Sequence, residues 1–180
     1  MDSIIYRINS SYEIVYTSSM WNSFAQKNHG EDNTENMVMN NNLMDFISDP
    51  ETREIYKMLV EKAAKTKTTV KVPFRCDAPG LRRFLVMEIE QLENGLTEFR
   101  SILKKSEKRK NVRLLERNIP RSDDLVKICS WCKKVYIPQT DSWAEAEEAV
   151  IQMKLFEMEK LPGLTHGICD NCYKELSEDI

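Results

Sequence analysis

Two cysteine pairs, Cys129-Ser130-Trp131-Cys132 and Cys169-Asp170-Asn171-Cys172, constrain this chain more than any other feature. Two residues separate the cysteines in each pair, so one tight knuckle can turn both thiolates onto a single ion. Two knuckles supply four sulfurs, which complete a tetrahedral coordination shell. A closed shell leaves no position for water or substrate. The spacing therefore points to a structural zinc ion held by Cys129, Cys132, Cys169 and Cys172. The fifth cysteine, Cys76, is left over.

The chain has 180 residues, 41% hydrophobic and 31% charged, enough for one ordinary domain and a small one. No apolar run is long enough to cross a bilayer, and Met1-Asp2-Ser3 opens no basic-then-apolar signal pattern. A cytoplasmic protein is expected, with no membrane partner. A reducing compartment favours metal over disulfides for the paired cysteines. The net charge of −3 hides an asymmetry: residues 104–121 carry +6, between −3 in residues 1–103 and −6 in residues 122–180.

Residues 4–17 read as a β-hairpin, with Asn9-Ser10-Ser11 as turn chemistry. Ser18-Ser19 can cap a helix carrying Met20, Trp21, Phe24 and Ala25. Residues 28–42 are polar and read as a loop, with His29 solvated in it. Leu43 to Ile47 reads as one helical turn. Asp49-Pro50-Glu51 is a helix start, a capping carboxylate followed by proline at the first position. That helix is expected to bury Ile55, Met58, Leu59 and Ala63. Three strands follow, at Val70 to Cys76, Leu81 to Leu92 and Thr97 to Leu103, with Asn94-Gly95 as a hairpin turn.

This order of elements resembles a PAS domain, a sensory fold with a five-stranded antiparallel sheet and a helical lid over a cavity. The resemblance rests on Tyr6-Arg7-Ile8-Asn9 through Ile14-Val15-Tyr16, on Met20 to Ala25, on Leu43 to Ile47 and on Phe74 to Pro79. It implies an α+β chain: a PAS-like unit over residues 1–103, a basic linker over 104–122 and a four-cysteine α+β module over 123–180. It also implies a cavity, for which Trp21, Phe24, Met44, Phe46, Met58 and Met87 are candidate walls. The outer sheet face, with Val15, Phe84, Val86 and Ile102, is a candidate homodimer surface. Cys76 does not stand in the helical Asn-Cys-Arg setting of light-sensing PAS domains, so a small core residue is expected there.

In the module, Lys133 to Ile137 reads as a strand and Pro138 to Asp141 as a turn. Ser142-Trp143-Ala144-Glu145 has the spacing of a capping box and predicts a helix carrying Trp143, Ala146, Val150 and Met153 over the knuckles. Leu161 to Leu164 reads as a loop, and Cys169 and Cys172 as the first turn of a last helix. The pattern resembles a treble-clef zinc finger, and also the zinc-knuckle tails behind bacterial sensor and receiver domains. His166 is expected beside the ligands, where it can hydrogen-bond a sulfur. The linker, read as helical or partly ordered, would carry a signal between the units.

No nucleotide-binding glycine loop, Ser/His/Asp pattern or kinase segment is present, so the chain reads as non-enzymatic. A partner protein is the expected outlet. Two rivals stand beside it: a nucleic-acid regulator using the basic linker, and a redox sensor in which oxidation expels zinc.

Overall fold

Residues two apart that share one buried face build the first sheet. The computed structural model describes residues 3–27 and 33–178, so His29 lies outside the described residues. Strands β1 (Ile4–Ile8), β2 (Ile14–Thr17), β3 (Val70–Arg75), β4 (Leu81–Gln91) and β5 (Thr97–Lys108) pair antiparallel in the order β2-β1-β5-β4-β3. The five-stranded antiparallel sheet expected for the first unit is therefore present. Gly95, at φ +82°, makes the β4–β5 turn, a conformation glycine adopts without strain. Its inner face buries Tyr6, Ile8, Val72, Met87, Ile89 and Phe99.

Helices cover that face. Helix α1 (Met20–Lys27) follows the hairpin, and a 3-10 turn forms at Leu43–Phe46. The polar segment read as a loop contains a short helix, α2 (Glu35–Val38), which buries Val38. Helix α3 (Pro50–Thr66) begins as its sequence demands: Asp49 Oδ2 accepts from the Thr52 N–H at 2.7 Å. Ile55, Leu59 and Ala63 of α3 are buried, while Met58 is half-buried. Each fully buried aliphatic side chain stabilises by about 1.5–3 kcal/mol.

A second sheet holds β6 (Arg121–Cys129), β7 (Val135–Ile137), β8 (Ser142–Ala144) and β9 (Leu161–Gly167), in the order β8-β7-β6-β9. Helices α4 (Ala146–Gln152) and α5 (Asp170–Glu178) accompany it. Three sequence expectations are corrected here. Ser142 to Ala144 form strand β8, not the start of a helix, because they pair with β7 and set Trp143 5.4 Å from the Tyr136 ring. Glu145 then turns to arginines of the first unit and does not cap. Leu161 to Leu164 are strand, not loop, since β9 runs parallel to β6. Pro162 is tolerated because β9 is an edge strand. Finally, α4 does not cover the knuckles. Its Ala146 and Ala149 pack with Val112, Leu114, Ile128, Val135 and Leu161 in a separate core.

Residues 104–122 form no α-helix. β5 continues through Lys108, a 3-10 turn spans Arg113–Leu115, and β6 begins at Arg121. Val112 and Leu114 are buried in the second core. Two of the basic residues there serve the fold: Arg109 pairs with Asp77, and Arg121 donates to the Leu114 and Pro162 carbonyls at 2.9 Å each. No helix among the described residues is long and apolar enough to cross a membrane.

Candidate functional site

The four cysteines converge as their spacing requires. The first knuckle closes the β6–β7 turn: the Cys129 N–H donates to the Lys134 carbonyl at 2.8 Å, and the Lys133 N–H to the Cys129 carbonyl at 3.1 Å. Lys133 takes the left-handed conformation, φ +61°, that this reversal needs. The second pair sits where β9 meets α5, with the Tyr173 N–H donating to the Cys169 carbonyl. All four sulfurs lie within 4.8 Å of one another. The Cys132 and Cys169 sulfurs are 3.7 Å apart, far beyond the roughly 2.05 Å of a disulfide bond. That separation matches the edge of a tetrahedron with metal–sulfur bonds of about 2.3 Å.

The electrostatics fit a cation. Hydrogen bonds from the Cys132, Cys169 and Cys172 thiols hold Cys129 far below the ordinary thiol range, and Cys172 is pushed well above it by its bonds to the other three. The Cys129 sulfur also accepts from the Cys169 N–H at 3.4 Å. Burial pushes the Lys133 ammonium down, and the nearby Cys76 and Cys129 act in the opposite direction. Its Nζ donates to the Ser130 carbonyl at 2.6 Å, tying the knuckle. Four cysteine sulfurs in so small a volume could hold a metal ion.

The site is not a separate bead. Cys129, Trp131, Ile168, Cys169, Cys172 and Leu176 share one core with the first sheet and α3. Trp131, between the first two ligands, packs edge-on to Tyr56 of α3 at 5.4 Å. The Trp131 carbonyl accepts from the Arg75 N–H at 2.8 Å, capping the end of β3. A second contact is ionic. Arg75 joins Asp77 and Glu145, Arg82 joins Glu145 and Glu147, and Arg109 joins Asp77 and Glu147. The side chains of Arg75, Asp77 and Arg109 are 11%, 2% and 6% exposed, so these charges are largely desolvated and held by one another. The sequence reading missed this network, because its members are up to 70 residues apart.

A cavity of about 700 Å³ lies between the first sheet, its helices and residues 115–119. Trp21, Phe24 and Phe46 are among the residues that line it. Met87 lines a smaller neighbour of about 200 Å³, with Thr52, Ser130, Trp131 and His166. Met44 and Met58 pack against the core and line neither cavity. Tyr6, Tyr56, Phe74 and Arg83 are cavity walls the sequence reading did not name. For Tyr6 the signal was there, in its alternation with Ile4 and Ile8. Burial raises the Tyr6 and Tyr56 phenols, Tyr56 to about 12.

The remaining candidates fall as follows. His166 lies on β9 opposite Ile128 and lines the smaller cavity, where partial desolvation of its ring and the charges of Lys133 and Arg117 lower its pKa. Cys76 is half-buried on the cavity wall beside Arg83, not in the core. On the outer sheet face Val86 stands opposite Ile102, and Phe84 opposite Lys105. Val15 is displaced from that set: it is the extra residue where the β1–β2 register shifts, and Tyr16 stands opposite Arg7 instead. Between them runs Arg7–Glu98–Arg100, with contacts of 2.8 and 2.7 Å. Burial pushes the Glu98 carboxyl up, but hydrogen bonds from Arg100 and Arg7 outweigh it and hold it below the usual range.

No family model matches the chain, and no curated protein does. Among solved structures, the chain is similar to the crystal structure of a sensory box sensor histidine kinase from Vibrio cholerae. The TM-score is 0.39 and the identity 12%, over 58% of this chain and 84% of that one.

Proposed function

We propose that this chain is a non-enzymatic sensory or regulatory protein of the cytoplasm. In it a PAS-like unit with a ligand cavity is joined to a treble-clef-like zinc module. The observation that carries this reading is the double role of Tyr56. It is a wall of the cavity and the ring against which Trp131 of the first knuckle packs. A change in the cavity then reaches the metal module through a shared core, with no need of a connector that swings. Zinc fits the closed four-thiolate set, and its binding energy would serve as folding energy for the module. The outlet is a partner protein bound by the module. A second copy of the chain would pair through Phe84, Val86 and Ile102.

Hydrogen exchange on zinc-loaded and chelated protein, both kept reduced, tests the coupling. Chelation should speed exchange in β1, α3 and β5 as well as in β6 to β9. Unchanged exchange throughout residues 3–108 would count decisively against it. A second reading is favoured by one detail: the Cys132 residue is half-buried and not fully enclosed. Oxidation would start at that sulfur and release zinc. Zinc retained under mild peroxide would end this reading.

A further inference from the structure

Arg83 is a half-buried cation on the cavity wall. It stands on β4 and donates Nε to the Cys76 carbonyl at 2.7 Å. Its guanidinium carbon lies 5.6 Å from the Phe24 ring centroid, which orients the group. Among the described residues it forms no ion pair. The carboxylates in the same wall are committed elsewhere: Asp77 to Arg75 and Arg109, and Glu116 to the Asn111 amide at 2.5 Å. A partly desolvated guanidinium with its Nη edge uncommitted to any carboxylate is a planar fork for a carboxylate. Lys27, exposed, stands at the rim.

The rest of the wall sets the body of the ligand. Tyr6, Trp21, Phe24, Phe46, Tyr56 and Phe74 present six aromatic rings to one space. Its volume, about 700 Å³, is ample for a two-ring molecule and ordinary for a small-molecule site. We propose that the cavity binds an aromatic monocarboxylate, its ring among these side chains and its carboxylate on the Nη groups of Arg83. The assignment rests on the reading of this cavity as a ligand site.

Calorimetric titration of the zinc-loaded full chain with naphthaleneacetic acid, and with its uncharged near-isostere naphthaleneacetamide, tests it. The acid should bind about tenfold or more tightly than the amide, the gain of one charge-assisted bidentate pair. Arg83→Met should abolish that difference by weakening the acid far more than the amide, and Arg83→Lys should keep part of it. Equal affinity for acid and amide, or an acid preference that survives Arg83→Met, overturns the assignment. So does no binding of either probe at about 1 mM. If the acid preference fails while chelation still loosens β1 and α3, the ligand class falls and the coupling stands. The reverse pattern upholds the ligand and removes the coupling.

Discussion

Replacing Trp131 and Tyr56, singly and together, asks whether the metal knuckle and the cavity unit are one cooperative body. Trp131 is 5% exposed and meets Tyr56 edge-on, with ring centroids 5.4 Å apart and planes at 67°. Truncating a buried tryptophan to alanine costs about 3–5 kcal/mol. Leucine restores roughly half of that volume, so Trp131→Leu should cost about 2 kcal/mol. Tyr56→Leu also loses its contact with Phe99, at 6.1 Å. It should cost about 2–3 kcal/mol. The edge-to-face attraction itself is about 0.5–1.5 kcal/mol, and it is lost only once. The double variant should therefore be less destabilised than the two single effects together by that amount. Urea unfolding followed by circular dichroism, with zinc in excess throughout, measures all three. Additivity to within about 0.3–0.5 kcal/mol would refute the shared core, as would two separate unfolding transitions.

Cys169→Ser removes a buried ligand that also donates its N–H to the Cys129 sulfur. Metal content measured by mass spectrometry should fall from one ion per chain to none, and unfolding of the first unit should shift with it, because the core is shared. Glu98→Gln should cost about 1.5–3 kcal/mol at neutral pH, since two arginines lose a charged acceptor. The folded carboxyl is held low, so its contribution is present above the ordinary value of 4.5 and is lost as pH falls through the folded value. Unfolding free energies of wild type and variant should converge below that range, and a constant gap would contradict the assignment. Arg75→Met takes one of two cations from Asp77, whose side chain is 2% exposed, and frees Glu145 from its closest partner. A loss of about 3 kcal/mol is expected, little affected by salt because the pair is desolvated. A loss that vanishes in high salt would show the network to be solvated.

Much of this protein could be read from residues close together in sequence. Asp49-Pro50 starts α3, Asn94-Gly95 turns β4 into β5, and alternation from Val70 to Leu103 sets three strands. These are decided by local backbone preference and by which side chains one face must bury. The CxxC spacing likewise put each pair of thiolates on one knuckle. Local rules misled where a distant partner outbid them. Ser142 to Glu145 has the chemistry of a helix cap, yet β7 recruits Ser142 to Ala144 as a strand and Arg75 recruits Glu145. Leu161-Pro162-Gly163 has the composition of a loop, yet β6 pairs with it in parallel from 40 residues away. What the sequence determined by itself was the ingredients, the individual strands, a capped helix and two CxxC knuckles, since each depends on neighbours within a few residues. Only the tertiary structure decided that Trp131 meets Tyr56 and that Arg83 shares a cavity with six aromatic rings. Such contacts depend on where whole elements pack, and no periodicity in the chain records that.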